Sequence, residues 1–235
     1  AVDAIDGAGG INGTVTRVTT TATTGKSIDL GGATGNWTIS QSTFAINGGP
    51  AIDATTPAGT VNITIDGCAF SGSTIAGVLS LVTGAGNQAL TASNCTFTQP
   101  AAGVSEFTLT GNTSGAYNVT LTNNTVTGGG TALRGIDILT QGTTQLTARI
   151  LNNNISGCTN EGLFAQTTDN STAKMRFEGN RTTGNAANNG WNNACSAAST
   201  LQAIYRNNVS DRFNLTRGTG TYQVEELANF NTTSG

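Results

Sequence analysis

The sequence predicts an all-β fold, a right-handed parallel β-helix of about eight coils with 26–29 residues in each coil. Three observations predict this fold. An eight-residue segment recurs at nearly constant spacing, apolar and polar residues alternate before each copy, and each copy contains small polar residues typical of a tight turn. A repeat of this length cannot bury its own apolar face, so successive repeats are expected to stack around one continuous core.

The recurring segment is clearest in IDGCAFSG, residues 65–72, and ASNCTFTQ, residues 92–99. Seven copies follow one another at spacings of 26–29 residues, starting at Ile39, Ile65, Ala92, Leu121, Ile150, Phe177 and Tyr205. The first position is apolar in every copy and the sixth in five of the seven, whereas small polar residues lie between them. Each copy therefore predicts the end of one strand, a sharp turn and the start of another strand.

The residues before each turn alternate in polarity, which predicts a half-buried strand. Ile63 and Ile65 fall on one face of such a strand, and Thr64 and Asp66 fall on the other. A further strand is predicted in many units from the apolar segments that begin at Gly77, Gly103, Arg134 and Glu161. Each coil should advance about 4.8 Å, the distance between neighbouring strands.

The whole chain, residues 1–235, is predicted to form a single β-helix domain. Residues 1–30 are interpreted as a Thr-rich N-terminal strand or cap segment, and residues 31–212 as the coils. Residues 185–198, NAANNGWNNACSAA, interrupt the period and predict an inserted loop. Residues 213–235 are interpreted as a C-terminal cap or extension.

Two neighbouring turn positions are rich in Asn and predict columns that run from coil to coil. The third position holds Asn94, Asn123, Asn152 and Asn207, and the fourth holds Asn124, Asn153, Asn180 and Asn208. Asn tolerates the left-handed backbone angles of tight turns, and its amide can pass hydrogen bonds from one coil to the next. We expect these residues to form an Asn ladder that supports the scaffold.

Cys68 and Cys95 share the fourth turn position one coil apart, at a Cα separation of about 4.8 Å that a disulfide accepts. A disulfide is predicted there, with stacked free thiols as the alternative. Cys158 and Cys195 are out of phase, and a second disulfide that would pin the predicted loop is left open. Metal binding by the four cysteines is not predicted, since the chain has no C-x-x-C pair and no His.

The seven copies and their spacing resemble the right-handed parallel β-helix of the pectate-lyase-like superfamily. Its members include polysaccharide lyases and hydrolases, phage tailspikes and surface passenger domains of bacterial autotransporters. The resemblance covers roughly residues 30–212, and right-handedness follows from it and from the general preference of crossovers. Lyase members typically bind Ca²⁺ through clustered Asp residues and use Arg or Lys as base, and hydrolases place two or three Asp on neighbouring coils.

The resemblance makes Glu106, Asp137, Glu161 and Arg134 the candidate catalytic residues, since the three acidic ones lie on successive units. Ordinary exposed charges on strands are the alternative interpretation. The acidic residues are otherwise scattered along the sequence, so neither a metal site nor a cofactor is predicted, and Ca²⁺ has no cluster to support it.

Outward positions before the turns hold two further patterns. Thr38, Thr64, Thr91 and Thr120 recur on four coils and resemble the Thr lattices of some ice-binding solenoids, although Thr also favours exposed strand positions. Arg149, Lys174, Arg176 and Arg206 form a basic strip on later coils, which could contact an anionic glycan or could be a solvated face.

The amino-acid composition argues against several classes of function. The net charge of -3 does not favour a nucleic-acid partner, and the absence of His removes the commonest general base and metal ligand. The chain has no run of about 18 apolar residues that would predict a transmembrane helix. It begins without Met and is rich in Thr and Asn, which predicts an extracellular or cell-surface location.

We therefore expect a structural or adhesive surface protein that associates end to end into a fibre or forms part of a longer adhesin. Its expected partners are other copies, surfaces or glycans. A carbohydrate-active enzyme or glycan-binding module on the same scaffold is the main alternative, and an ice-binding protein is a further one.

Overall fold

The computed structural model describes residues 3–45, 47–98, 100, 102–186, 190–228 and 231–232. These residues form an all-β solenoid of three parallel sheets, each with nine strands. The prediction of an all-β parallel β-helix is confirmed, and the right-handed sense stays a prediction.

The first sheet contains the strands Ile5–Asp6 (β1), Ile28–Asp29 (β4), Ile52–Thr56 (β7), Val78–Gly84 (β10), Phe107–Thr113 (β13), Ile136–Gly142 (β16), Leu163–Thr167 (β19), Trp191–Cys195 (β22) and Phe213–Arg217 (β25). The second contains Asn12–Thr16 (β2), Gly35–Ser40 (β5), Thr60–Asp66 (β8), Asn87–Ser93 (β11), Ala116–Thr122 (β14), Gln145–Leu151 (β17), Thr172–Glu178 (β20), Thr200–Arg206 (β23) and Thr221–Ala228 (β26). The third contains Thr19–Thr21 (β3), Thr43–Ala45 (β6), Ala69–Ser71 (β9), Thr96–Thr98 (β12), Thr125–Thr127 (β15), Asn154–Ser156 (β18), Arg181–Thr183 (β21), Val209–Ser210 (β24) and Asn231–Thr232 (β27).

The core consists of inward columns, because every strand pairs in parallel with the same strand of the next turn. The first residues of the recurring segments form one column in the second sheet, for example Ile39 with Ile65 and Ile150 with Phe177. The sixth residues form another in the third sheet, where the Phe44 and Phe70 ring centroids lie 5.2 Å apart and those of Phe70 and Phe97 lie 4.5 Å apart. Stacked aromatic rings of this kind add to the stability that burial supplies.

Solenoid strands lie at both ends of the described chain, which agrees with the strand and extension alternatives given for these segments. Residues 3–30 supply a turn of the solenoid, in which β2 pairs with β5 and β3 pairs with β6. At the other end, β25, β26 and β27 extend all three sheets. The N-terminal turn has no Asn at its bend and is shorter, with Val15 pairing with Ile39 at a spacing of 24 residues.

The inserted loop predicted at residues 185–198 is wrong for Trp191–Cys195, which is a strand of the first sheet between β19 and β25. Residues 187–189 of that segment lie outside the described residues. The Trp191 ring is buried and packs edge-on against Phe177 and Phe213. Asn193 points inward beside it and donates to the hydroxyl of Tyr205 at 2.5 Å. Because a polar residue occupies this inward position, the alternation of apolar and polar residues that predicts a strand is absent here.

Candidate functional site

The fourth turn position forms a buried hydrogen-bond ladder along the solenoid. The backbone N–H of each ladder residue donates to the side-chain oxygen one turn later, at 3.0 Å for Asn124 to Asn153, Asn153 to Asn180 and Asn180 to Asn208. The side-chain amide of Asn153 also donates to the backbone oxygen of Leu121 at 3.0 Å. These side chains are almost fully buried, so the ladder satisfies polar groups that water cannot reach.

The third turn position has a different role. Asn94, Asn123, Asn152 and Asn207 all have positive φ angles, between 52° and 57°. Gly67 and Gly179 occupy the same position in other turns with φ angles of 60° and 66°. The predicted Asn ladder therefore divides into four buried residues that carry hydrogen bonds between turns and four left-handed residues that make the bend.

All four cysteines are free thiols, so the disulfide predicted between Cys68 and Cys95 is wrong and the alternative of free thiols holds. The second disulfide, which the sequence left open, is not formed by Cys158 or Cys195. Cys68 and Cys95 instead stand in the ladder column, and Cys95 joins the ladder because its backbone N–H donates to the side-chain oxygen of Asn124 at 3.0 Å. Each thiol faces a carbonyl oxygen, at 3.5 Å for Cys68 to Asp66 and 3.2 Å for Cys95 to Ser93. The contact with Cys68 and burial raise the pKa of the Cys95 thiol.

Arg134 brings two of the three acidic candidates together. Its guanidinium donates to Asp137 and to Glu161, at 2.8 Å in each case, and lies 3.9 Å from the ring centre of Phe164. Burial works against the Arg134 charge, but its bonds to Glu161 and Asp137 raise its pKa. The result is a closed, partly buried ion-pair cluster in which one cation holds both carboxylates.

The third acidic candidate, Glu106, lies apart from that cluster. Its side chain is 1% exposed and points into the solenoid, at a position where Ala51, Gly77 and Gly135 stand in neighbouring turns. A Cβ atom on Gly77 would lie 2.9 Å from the Glu106 carboxylate and 2.7 Å from the Phe97 ring, so Gly77 provides the space for both. Burial raises the pKa of Glu106 to about 8, although the Gly77 N–H partly opposes the shift.

A column of aspartates that the sequence interpretation missed lies on the first sheet. Asp6, Asp29 and Asp53 pair in register on three successive turns, and Lys26 contacts Asp29 and Asp53 at 2.8 Å each. Burial alone would lower the pKa of Lys26, but the two aspartates raise it above its usual value. The signal was present as a repeated Ile-Asp dipeptide. Each aspartate also accepts the backbone N–H two residues later, which gives it a structural role.

The outer face of the second sheet carries the predicted Thr lattice, which extends over five turns. Thr14 is in register with Thr38, and the column continues through Thr64, Thr91 and Thr120. Asn12, Asn36 and Asn62 form a parallel column on one side, which Ala89 interrupts before Asn118, and the Asn62 amide donates to Asn36 at 2.9 Å. Asp66 interrupts the column on the other side, and its hydrogen bonds with Ser93 and Asn94 lower its pKa.

The same face becomes basic in the later turns, because Thr120 is followed in its column by Arg149 and then Arg176. Three adjoining depressions lie here, with volumes of about 300, 230 and 380 Å³, and Thr147 lines all three. The other two residues of the predicted basic strip, Lys174 and Arg206, have different surroundings. Lys174 lines two of the depressions, whereas Arg206 forms an ion pair with Glu226.

No group of three or more Cys, Asp or Glu side chains in the described part of the chain is arranged to hold a metal ion. None of the described residues belongs to a helix long and apolar enough to cross a membrane.

No family model, no curated protein and no solved structure matches the chain. The class that the fold defines is a parallel β-solenoid protein, and membership of the pectate-lyase-like superfamily stays a prediction.

Proposed function

We propose that the chain is an extracellular structural and adhesive element that assembles end to end. The observation that carries this proposal concerns exposed apolar side chains. Among the described residues, the large hydrophobic side chains that are exposed are Ile11, Ile75, Val224 and Leu227. Ile11 precedes the first strand of the second sheet, and Val224 and Leu227 lie on its last strand, so three of the four lie at the two ends of the solenoid.

Val224 and Leu227 lie in core columns, on the last described strand of the second sheet. They pair with Ala203 and Tyr205, whose columns are buried throughout the preceding turns, yet they are 42% and 56% exposed. The outer edge of β26 also offers backbone groups that a further strand can pair with. The first turn of a second copy has matching columns, in which Val15 occupies the column of Leu227. In the proposed assembly, β2 of that copy pairs with β26 and its apolar side chains cover the end of the core.

End-to-end assembly predicts that the purified chain forms oligomers whose size increases with protein concentration. Replacing Val224 and Leu227 with lysine places charges in the proposed contact and is expected to convert the oligomers to monomers. Size-exclusion chromatography with light scattering measures the mass, and electron microscopy shows the shape.

Ile75→Lys is the matched control, because Ile75 is 51% exposed but lies in the connection between β9 and β10. It should assemble as the native chain does. A native chain that stays monomeric at high concentration would rule out the proposed assembly.

An enzyme of the carbohydrate-active class is less well supported by the same geometry. Glycosidases use a pair of carboxyl groups that flank the scissile bond across a groove. Here Asp137 and Glu161 share the guanidinium of Arg134, and Glu106 points into the core. The three adjoining depressions lie on a different sheet from Arg134, Asp137 and Glu161.

A second candidate function is ice binding, which the extension of the Thr column to a fifth turn favours. A flat array of hydroxyl and methyl groups, repeated about every 4.8 Å, can order water along the sheet. We expect thermal hysteresis in the native chain and its loss in Thr64→Tyr, which places a ring at the centre of the array. Thr125→Tyr on the exposed face of the third sheet is the control, and a native chain without hysteresis would exclude this function.

A further inference from the structure

The basic depression on the second sheet has a defined structural cause. A β-bulge between β23 and β26 places Glu225 opposite no residue of β23, and Glu225 then forms one wall of the 300 Å³ basic hollow. At the other side, Thr147 is a short side chain between the longer Arg149 and Lys174. The short side chain of Thr147 therefore forms the floor of the depression, and the longer side chains of Arg149 and Lys174 form its sides.

The cations around this floor repel one another. Arg149 and Arg176 are paired directly across neighbouring strands, and Lys174 is paired with Thr147. Like charges placed directly opposite each other in a sheet are destabilising. Within the described residues Arg149 and Lys174 form no ion pair, whereas Arg176 is paired with Glu178. A local arrangement that costs stability in this way is typical of a binding site.

The cations that line the depression outnumber its acidic residue, since Arg149, Lys174 and Arg176 stand against Glu225. Glu178 and Glu226 are engaged by Arg176 and Arg206, and Glu225 stands at the wall formed by the bulge. The floor around Thr147 thus retains the two free cations, Arg149 and Lys174. An anion placed between them would relieve the repulsion and receive charge-assisted hydrogen bonds.

We propose that this depression binds the sulfate or carboxylate groups of a linear acidic polysaccharide that runs along the solenoid axis. The proposal names the partner of the adhesive role and rests on that proposed function. The adjoining hollows extend from Asn118 through Thr147 and Lys174 to Gln202, which belong to four successive strands and span about 14 Å. That length suits several sugar units of an extended chain.

The charge balance favours a polysaccharide over a nucleic acid. The chain has a net charge of -3, so its overall field repels a densely charged polyanion. A polysaccharide with spaced anionic groups can place one of them at Arg149 and Lys174 while neutral sugar hydroxyls contact Thr120, Thr147 and Gln202.

The test compares the binding of the native chain to dextran sulfate, alginate and neutral dextran at low ionic strength. We expect binding to dextran sulfate or alginate, with the stronger of the two identifying the preferred anion, and no binding to dextran. Arg149→Ser combined with Lys174→Ser should weaken that binding roughly tenfold or more. The matched control is Arg181→Ser combined with Arg212→Ser, which removes the same charge from exposed residues outside the depressions.

Equal weakening in the two double variants would overturn the proposed site, because net charge alone would then explain the binding. A native chain that binds neither anionic polymer, or binds dextran equally well, would also overturn it. Light scattering on the same samples separates this failure from failure of the proposed function. Assembly without polymer binding rejects only the polysaccharide site, whereas a native chain that binds the polymer as a monomer rejects only the end-to-end assembly.

Discussion

Asn153→Ala is expected to lower the free energy of unfolding by about 4 kcal/mol. The Asn153 oxygen accepts both the backbone N–H and the side-chain amide of Asn124, at 3.0 Å each, and its amide donates to Leu121 and Asn180, also at 3.0 Å. Alanine removes these four hydrogen bonds and leaves the backbone N–H of Asn124 without an acceptor in a place that water cannot reach, since Asn124 is 1% exposed. Urea unfolding monitored by circular dichroism measures the change.

The neighbouring residue provides the control for this prediction. Asn152 is exposed and has a φ of 55°, so Asn152→Gly retains the left-handed bend without disturbing the ladder. Its effect should stay within about 1 kcal/mol. If the two variants lose similar amounts of stability, the ladder is not what holds successive turns together.

Glu106→Gln is expected to remove a strong pH dependence of stability. The folded pKa of about 8 lies above the ordinary value of 4.5, so between these values the folded state binds more protons than the unfolded state. The stabilisation that protonated Glu106 supplies is complete below pH 4.5 and is lost as the pH rises through about 8. The shift corresponds to a loss on the order of 5 kcal/mol.

Urea unfolding at several values between pH 5 and pH 8 checks this prediction. The native chain should become less stable as the pH rises, whereas Glu106→Gln should show a much flatter profile and exceed the native stability at pH 8. Glu225→Gln is the control, because it removes an exposed carboxylate and should retain the native slope. Parallel slopes for the native chain and Glu106→Gln would show that the carboxyl group reaches water in the folded protein.

The scaffold was predictable because its constraints recur in every turn. A bend needs a left-handed residue, and the buried backbone groups beside it need a polar partner, so Asn marks both positions in the sequence. The role of Cys68 and Cys95 was not predictable in the same way. Two cysteines one turn apart fit a disulfide as well as a pair of stacked thiols, and only the structure shows that both are free and that the Cys95 N–H donates to Asn124 of the ladder.

The candidate site was less predictable, because it depends on the register between distant turns. Glu106 is adjacent to a strand in the sequence, and only the alignment with Ala51, Gly77 and Gly135 shows that it points inward. The N-terminal turn was missed since Arg17 replaces Asn at the left-handed position, with a φ of 56°. The basic strip was visible, but the hollow beside it requires the bulge at Glu225, which no periodic pattern contains.

The basic depression on the second sheet is the proposed binding site for an acidic polysaccharide. Nitrogen-15 NMR of the arginine side chains, recorded while dextran sulfate is added, tests this proposal most directly. The Nε–Hε signal of Arg149 should shift as the polymer is added, and the signal of Arg134, held by Asp137 and Glu161, should stay in place. A shift of the Arg134 signal with Arg149 unchanged would place binding at the ion-pair cluster instead and contradict the proposed site.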